Sequence, residues 1–303
     1  MKFTTAVLEK AAGILSRTVL VFTVLMLGAC GGGTASPSAQ QGGPLAGNWQ
    51  IVLTQEFPFQ TPPATLYVSG FFLQAKNSVT GSVQLPASTL GNCSGVGLLG
   101  GTLSGQNVTL SVDENGSTMS MTGSAASDYQ SMSGIYETVA GGCSDKPTSG
   151  TWTAFKVPVM NFNFTGTLSQ STYMELLTGV SPPAPIAVSG VISQSANIGA
   201  SSATLTGTIT AVGYPCFRTA SLTGTISGQN VILALFGYNG DQIGTIGTPL
   251  TPSTLTVNSG AVSLSGGLTL GAGGAEAFGP CPALPNGTNS QPNDNAIAAL
   301  GFQ

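Results

Sequence analysis

Histidine is absent from the 303 residues, and charged residues make up only 6% of them. Without imidazole, neither a Ser-His-Asp nor a Cys-His catalytic arrangement can be assembled. The commonest metal ligand is missing too, and no Cys-x-x-Cys pair replaces it, so no metal and no cofactor is expected. Basic residues are scarce: beyond residue 29 only Lys76, Lys146, Lys156 and Arg218 stand against ten acids. A chain that cannot neutralise phosphates has no nucleic-acid partner. The adjacent acids Asp113-Glu114 sit at a turn and do not flank a cleft as glycoside hydrolysis requires. The expectation is a non-catalytic protein.

Long apolar runs are also lacking, with one exception. Thr18 to Leu27 (TVLVFTVLML) is apolar for ten residues, too few for a membrane-spanning helix. Lys2, Lys10 and Arg17 precede it and Gly28-Ala29 follow, which is the order of a secretory signal. Leu27-Gly28-Ala29-Cys30 resembles the lipobox of bacterial lipoproteins. That resemblance implies cleavage before Cys30, a diacylglyceryl thioether on its sulfur and an acyl chain on its amine. Several chains together hold a protein on a membrane, where one is marginal. Residue 31 is Gly, not the Asp that retains lipoproteins at the inner membrane of double-membrane bacteria. The expected location is the outer membrane, facing periplasm or cell surface. The domain plan is a signal at 1–29, a Gly/Ser/Gln-rich tether at 30–44, and β-domains at 45–158 and 159–303.

Two β-domains are expected because the sequence repeats. Cys93 precedes Ser104-Gly105-Gln106-Asn107-Val108 by eleven residues, and Cys216 precedes Ser227-Gly228-Gln229-Asn230-Val231 by the same eleven. Asn115-Gly116 matches Asn239-Gly240, Ser131–Gly134 matches Ser263–Gly266, and Val68-Ser69-Gly70 matches Val188-Ser189-Gly190. Apolar residues alternate with Ser and Thr between Gly, Pro and Asn punctuation, which predicts strands with one apolar face. The first half gives Trp49–Thr54, Leu66–Gln74, Ser78–Leu85, Ser94–Leu103, Val108–Val112, Thr118–Ala125, Met132–Thr138 and Thr151–Val157. The second gives Asn161–Ser169, Ile186–Ser193, Ala203–Thr210, Arg218–Ile226, Val231–Gly237, Gln242–Thr248, Ala261–Leu270 and Ala296–Phe302, with an extra stretch near Leu250–Asn258. No sustained helical period occurs after the signal.

Eight short strands in hairpin order close into an antiparallel up-and-down barrel, which removes sticky edges. Trp49 and Trp152 lie on the first and last strands of the first half, which pair in such a barrel; Phe162 or Phe164 and Phe302 take those places in the second. Open β-sandwiches are the alternative. Gly47-Asn48-Trp49 resembles the Gly-x-Trp opening of the lipocalin and avidin-like barrels, which implies eight strands and a small ligand carried inside. Gly150-Thr151-Trp152 has the same pattern on another strand, so the motif favours a barrel without naming a ligand. Gly95-x-Gly97-x-x-Gly100 matches a dinucleotide fingerprint but leads into more strand, not a helix.

One lipidated cysteine leaves four, and an exported protein keeps disulfides. Of three possible pairings, the repeat selects Cys93–Cys143 and Cys216–Cys281. Alternating strand directions gather the longer connections on one rim of each barrel. Glu56, Glu114, Asp145 and Lys146 fall on that rim in the first domain, and Tyr173, Glu175 and Asp241 in the second. Loops on a rigid scaffold are a common place for binding. Two functions remain open: binding of a small apolar ligand or envelope component through interior or rim, and a structural or adhesive role with filled barrels. An outer-membrane pore is disfavoured, because the strands are short and lack aromatic girdles.

Overall fold

The computed structural model describes residues 42–56, 64–85, 95–114, 116–139, 147–170, 185–196, 200–212, 217–238, 240, 242–249, 251–258, 261–270 and 295–302. Among them every regular element is a strand. The first eight are β1 (Gly47–Gln55), β2 (Ala64–Ala75), β3 (Ser78–Gln84), β4 (Val96–Ser104), β5 (Asn107–Glu114), β6 (Ser117–Ala125), β7 (Ser131–Thr138) and β8 (Ser149–Val157). They pair in chain order and close through β1–β8, where Leu53 faces Trp152 and Trp49 faces Lys156. The two tryptophan-bearing strands do meet.

The second set is β9 (Asn161–Gln170), β10 (Ile186–Gln194), β11 (Ala203–Ala211), β12 (Thr219–Ser227), β13 (Asn230–Phe236), β14 (Gln242–Ile246), β15 (Ser253–Asn258), β16 (Ala261–Leu270) and β17 (Asn295–Phe302). These also form a closed antiparallel barrel, with β9 joining β17 through Phe164↔Phe302 and β12 joining β13. Nine strands fill eight positions because β14 and β15 share one slot between β13 and β16. β14 covers Leu233 to Phe236 of β13, and β15 covers Asn230 and Val231. The break falls at Gly247, whose φ of 73° turns the chain out of the sheet. Thr248 and Thr251 then close a small loop by hydrogen bonding. The extra stretch expected near Leu250–Asn258 is therefore half of one barrel strand.

Alternation explains the faces. On β5, Val108, Leu110 and Val112 are buried while Thr109 and Ser111 are exposed. A repeated five-residue pattern, apolar-x-Gly-x-apolar, puts a glycine at the inward midpoint of many strands: Gly70, Gly81, Gly123 and Gly134 in the first barrel, Gly190, Gly207 and Gly224 in the second. Gly123 and Gly134 face each other across β6 and β7. A Cβ on Gly134 would come within 2.6 Å of Gly123 Cα and also strike the Thr122 carbonyl. Strands bent this tightly admit no side chain there, and the space saved is taken by large neighbours. Trp49 stacks on Phe72 with ring centroids 5.6 Å apart. Both indole N–H groups are satisfied: Trp49 donates to Leu45 O at 2.7 Å and Trp152 to Ile135 O at 3.1 Å.

Both barrels belong to one compact unit, Gln40–Gln303, and the hairpin turn between β12 and β13 docks on the outer wall of β1–β2. Asn48 Nδ2 donates to Gly228 O at 3.0 Å, and Gly228 N–H donates back to Asn48 Oδ1 at 2.7 Å. Gln229 N–H donates to Gln50 Oε1 at 3.0 Å, while Gln50 Nε2 reaches Val68 O. Ser227 spends its hydroxyl proton on Ser201 O, so Ser69 must be the donor in the 2.8 Å Ser69–Ser227 contact. Phe71 and Val157 of the first barrel's outer face join the second barrel's apolar cluster beside Met160. Phe71 contributes roughly 2 kcal/mol by burial at this site.

Candidate functional site

Three surfaces are candidates: the barrel interiors, the long-loop rims and the outer walls. The interiors are occupied. Trp49, Ile51, Val68, Phe72, Val79, Val83 and Met121 have no accessible surface, and neither do Leu205, Ile209, Val231, Leu233 and Leu235 in the second barrel. A ligand-sized void would leave exposed area on the residues lining it, so these side chains touch one another and not a cavity.

The rim candidates divide. Glu56 and Glu114 lie at the same end of the first barrel. Glu56 follows β1, its N–H donating to Ser149 O at 3.0 Å. Glu114 ends β5, close to Gly95, and partial burial raises its carboxyl pKa. Near Glu56 sits Tyr136, 2% exposed, its hydroxyl buried beside the Thr148 side chain. Desolvation raises the Tyr136 pKa, the nearby Thr148 side chain lowers it, and the Glu56 charge raises it further. Thr138 and Thr148 bond to each other at 2.8 Å on the same rim. Asp145, Lys146, Tyr173, Glu175 and Asp241 lie outside the described residues, as do Cys30, Cys93, Cys143, Cys216 and Cys281. Among the described residues, no three His, Cys, Asp or Glu side chains gather as a metal site would require.

The outer walls carry a feature that composition hid. On β11, Thr204, Thr206, Thr208 and Thr210 point outward, and on β12 they face Thr225, Thr223, Ser221 and Thr219 in register. Eight hydroxyls thus form two rows at the strand spacing of about 4.8 Å. The first barrel has a looser counterpart on β5–β8, where Ser111 faces Ser120, and Ser133 faces both Ser124 and Thr153. A depression of about 450 Å³ lies against that wall, lined by Ser124, Ser133, Thr153 and Phe155 among others. The signal for these walls was present in the sequence as Thr-x-Thr alternation. Register, which decides whether rows align, was not.

The chain matches no family model, no curated protein and no solved structure. Inward positions are apolar and outward ones mostly hydroxyl-bearing, with scattered exceptions such as Tyr67, Leu98 and Ile135, the inverse of a barrel embedded in lipid. Among the described residues no helix is long and apolar enough to cross a membrane either.

Proposed function

We propose that this protein is a lipid-anchored envelope protein, attached through Cys30 and facing the periplasm or cell surface from the outer membrane. Its two filled barrels serve as a rigid, non-catalytic structural or adhesive unit. Contact is made by the outer walls and rims and not by a carried ligand. The observation that supports this reading is the packed interior, where the central residues of both barrels have no accessible surface.

The walls favour a neutral, hydroxyl-bearing partner such as an envelope polysaccharide. Rows of Thr and Ser offer many weak hydrogen bonds with little charge to steer or repel, and the wall of β11–β12 carries them in register. Each contact is worth about 1 kcal/mol, so binding depends on many contacts along a polymer.

Two measurements test the proposal. Native mass spectrometry of the purified chain should give the mass of the protein with its lipid and nothing more. Co-sedimentation with isolated envelope polysaccharide should retain the wild type, and Thr206→Lys with Thr223→Lys should release it. A small molecule that co-purifies stoichiometrically, together with no polymer binding, would overturn the reading in favour of a carrier.

A further inference from the structure

The interface between the barrels is one half of a repeated pair, and the other half is exposed. The docked turn is Ser227-Gly228-Gln229-Asn230; the first barrel carries the identical turn, Ser104-Gly105-Gln106-Asn107, between β4 and β5. Both turns hold their glycine in the left-handed region, at φ 56° and 60°. A Cβ on Gly228 would strike Gln50 and Ser69 of the docking wall, whereas one on Gly105 would meet nothing within 4 Å. All four residues of the first turn are exposed. A two-residue hairpin asks only for the glycine, so shared Ser and Gln go beyond what the turn itself needs.

The receiving wall is repeated as well. On β1–β2, Asn48 stands opposite Phe71 and Gln50 opposite Ser69. On β9–β10, Asn163 stands opposite Val191 and Thr165 opposite Ser189. Asn163 and Ser189 therefore reproduce Asn48 and Ser69, the two side chains that grip Gly228 and Ser227. Thr165 offers a hydroxyl acceptor where Gln50 offers an amide, and Val191 replaces Phe71. This second wall is open: Asn163, Thr165 and Ser189 are exposed, and Val191 is 46% exposed. The Gly105 carbonyl takes a long 3.4 Å bond from the Tyr129 hydroxyl and keeps a second lone pair for an incoming amide.

We propose that this chain associates head to tail with further copies of itself. The Ser104–Asn107 turn of one copy docks on the Asn163/Thr165/Ser189/Val191 wall of the next, repeating the contact already made inside each copy. Such a contact is heterologous, so it does not end at two copies but extends into rows or closes into rings. Inside the chain the Val157–Asn161 connection holds the contact at an effective concentration of about millimolar. Between copies the same contact needs crowding of that order. The inference rests on the interface alone and holds whether or not the envelope reading is correct.

The test uses the full chain in detergent at about 1 mM, with a benzophenone amino acid in place of Gln106. Irradiation should cross-link copies, and the linked peptides should map to 161–170 or 186–194 of the neighbour. Ser189→Arg in every copy should cut the yield at least about tenfold, as should Ser104→Arg. Mixing the turn-blocked Ser104→Arg chain with the wall-blocked Ser189→Arg chain should restore one contact and yield pairs, with no longer species by sedimentation. That recovery also shows both variants to be folded. Cross-links landing elsewhere, a yield unchanged by Ser189→Arg, or no cross-link at all would overturn the proposal.

Discussion

Asn48→Ala gives the sharpest test of how the barrels are held. The substitution removes both hydrogen bonds to the backbone of Gly228, at 3.0 and 2.7 Å. Gly228 is buried, so its N–H and C=O lose partners without gaining full access to water. Each orphaned buried group costs about 1–3 kcal/mol, so the pair costs roughly 2–6 kcal/mol, towards the lower end where the site relaxes. The loss falls on docking of the turn and not on either barrel, because the Asn48 side chain points away from the first barrel's interior. Hydrogen exchange of the Gly228 and Gln229 amides reads docking directly, and a 2 kcal/mol loss corresponds to exchange about 30-fold faster. Both tryptophans of the chain lie in the first barrel, so their fluorescence reports whether that barrel's own unfolding midpoint stays put. Asn163→Ala is the matched control: the same residue at the repeat-equivalent, exposed position, expected to change stability by less than about 0.5 kcal/mol. Exchange at Gly228 within threefold of wild type in the Asn48→Ala chain, or equal effects of the two substitutions, would refute the reasoning.

Gly134→Ala should lower stability by about 1–3 kcal/mol in denaturant melts through overpacking against backbone that cannot yield, since a Cβ there strikes the Thr122 carbonyl. Gly116→Ala, with open space but φ of 80°, should cost about 1–2 kcal/mol from conformation alone. Burial raises the Tyr136 pKa, so its neutral hydroxyl is favoured in the folded state. That stability is present below the ordinary tyrosine range near pH 10 and is lost as pH rises through it. Tyr136→Phe should therefore lose less stability than wild type between pH 9 and 11, and parallel curves would contradict this. Burial lowers the Lys156 pKa, an effect of opposite slope that is common to both chains and cancels in the comparison. Non-reducing peptide mapping should recover Cys93 with Cys143 and Cys216 with Cys281; a cross-domain pair would refute the duplication-based pairing. Cys30→Ser should move the protein out of the membrane fraction, and unchanged partitioning would rule out the lipid anchor.

Strand number and order were legible because period-two alternation survives in nearly every segment. Val108, Leu110 and Val112 announce β5 without help from the structure, and the repeated Ser-Gly-Gln-Asn-Val places β13 by analogy. The split of one strand into β14 and β15 was legible only as surplus sequence, since pairing to a common neighbour is a non-local fact. The central glycines were the clearest signal left unused. Met121-Thr122-Gly123-Ser124-Ala125, Leu205-Thr206-Gly207-Thr208-Ile209 and Leu222-Thr223-Gly224-Thr225-Ile226 share one pattern, each with its glycine inside a predicted strand. In a strand it marks close backbone approach, and spaced two residues from apolar neighbours it marks the inward face. Read that way, the pattern alone predicts a tightly coiled, filled barrel. The interface was hidden for another reason: Asn48, Gln50 and Ser69 are ordinary surface residues until a partner turn arrives, and no local pattern names the partner.

Tandem repetition of the barrel leaves a physical asymmetry that the two barrels resolve differently. A module bearing both a docking turn and a receiving wall forms one contact when copied in tandem, and leaves one turn and one wall over. Where the contact is permanent, the wall has deepened: Phe71 is 2% exposed, and Gln50 reaches the Gln229 amide while bracing itself on Val68. Where the wall is open, Val191 and Thr165 hold the same places with shorter side chains and less apolar area to leave in water. Asn163 and Ser189 retain the polar grip, so the open wall keeps its geometry for the turn while giving up much of the apolar gain. A contact built this way is weaker than the internal one and easily reversed. That suits assembly governed by local concentration.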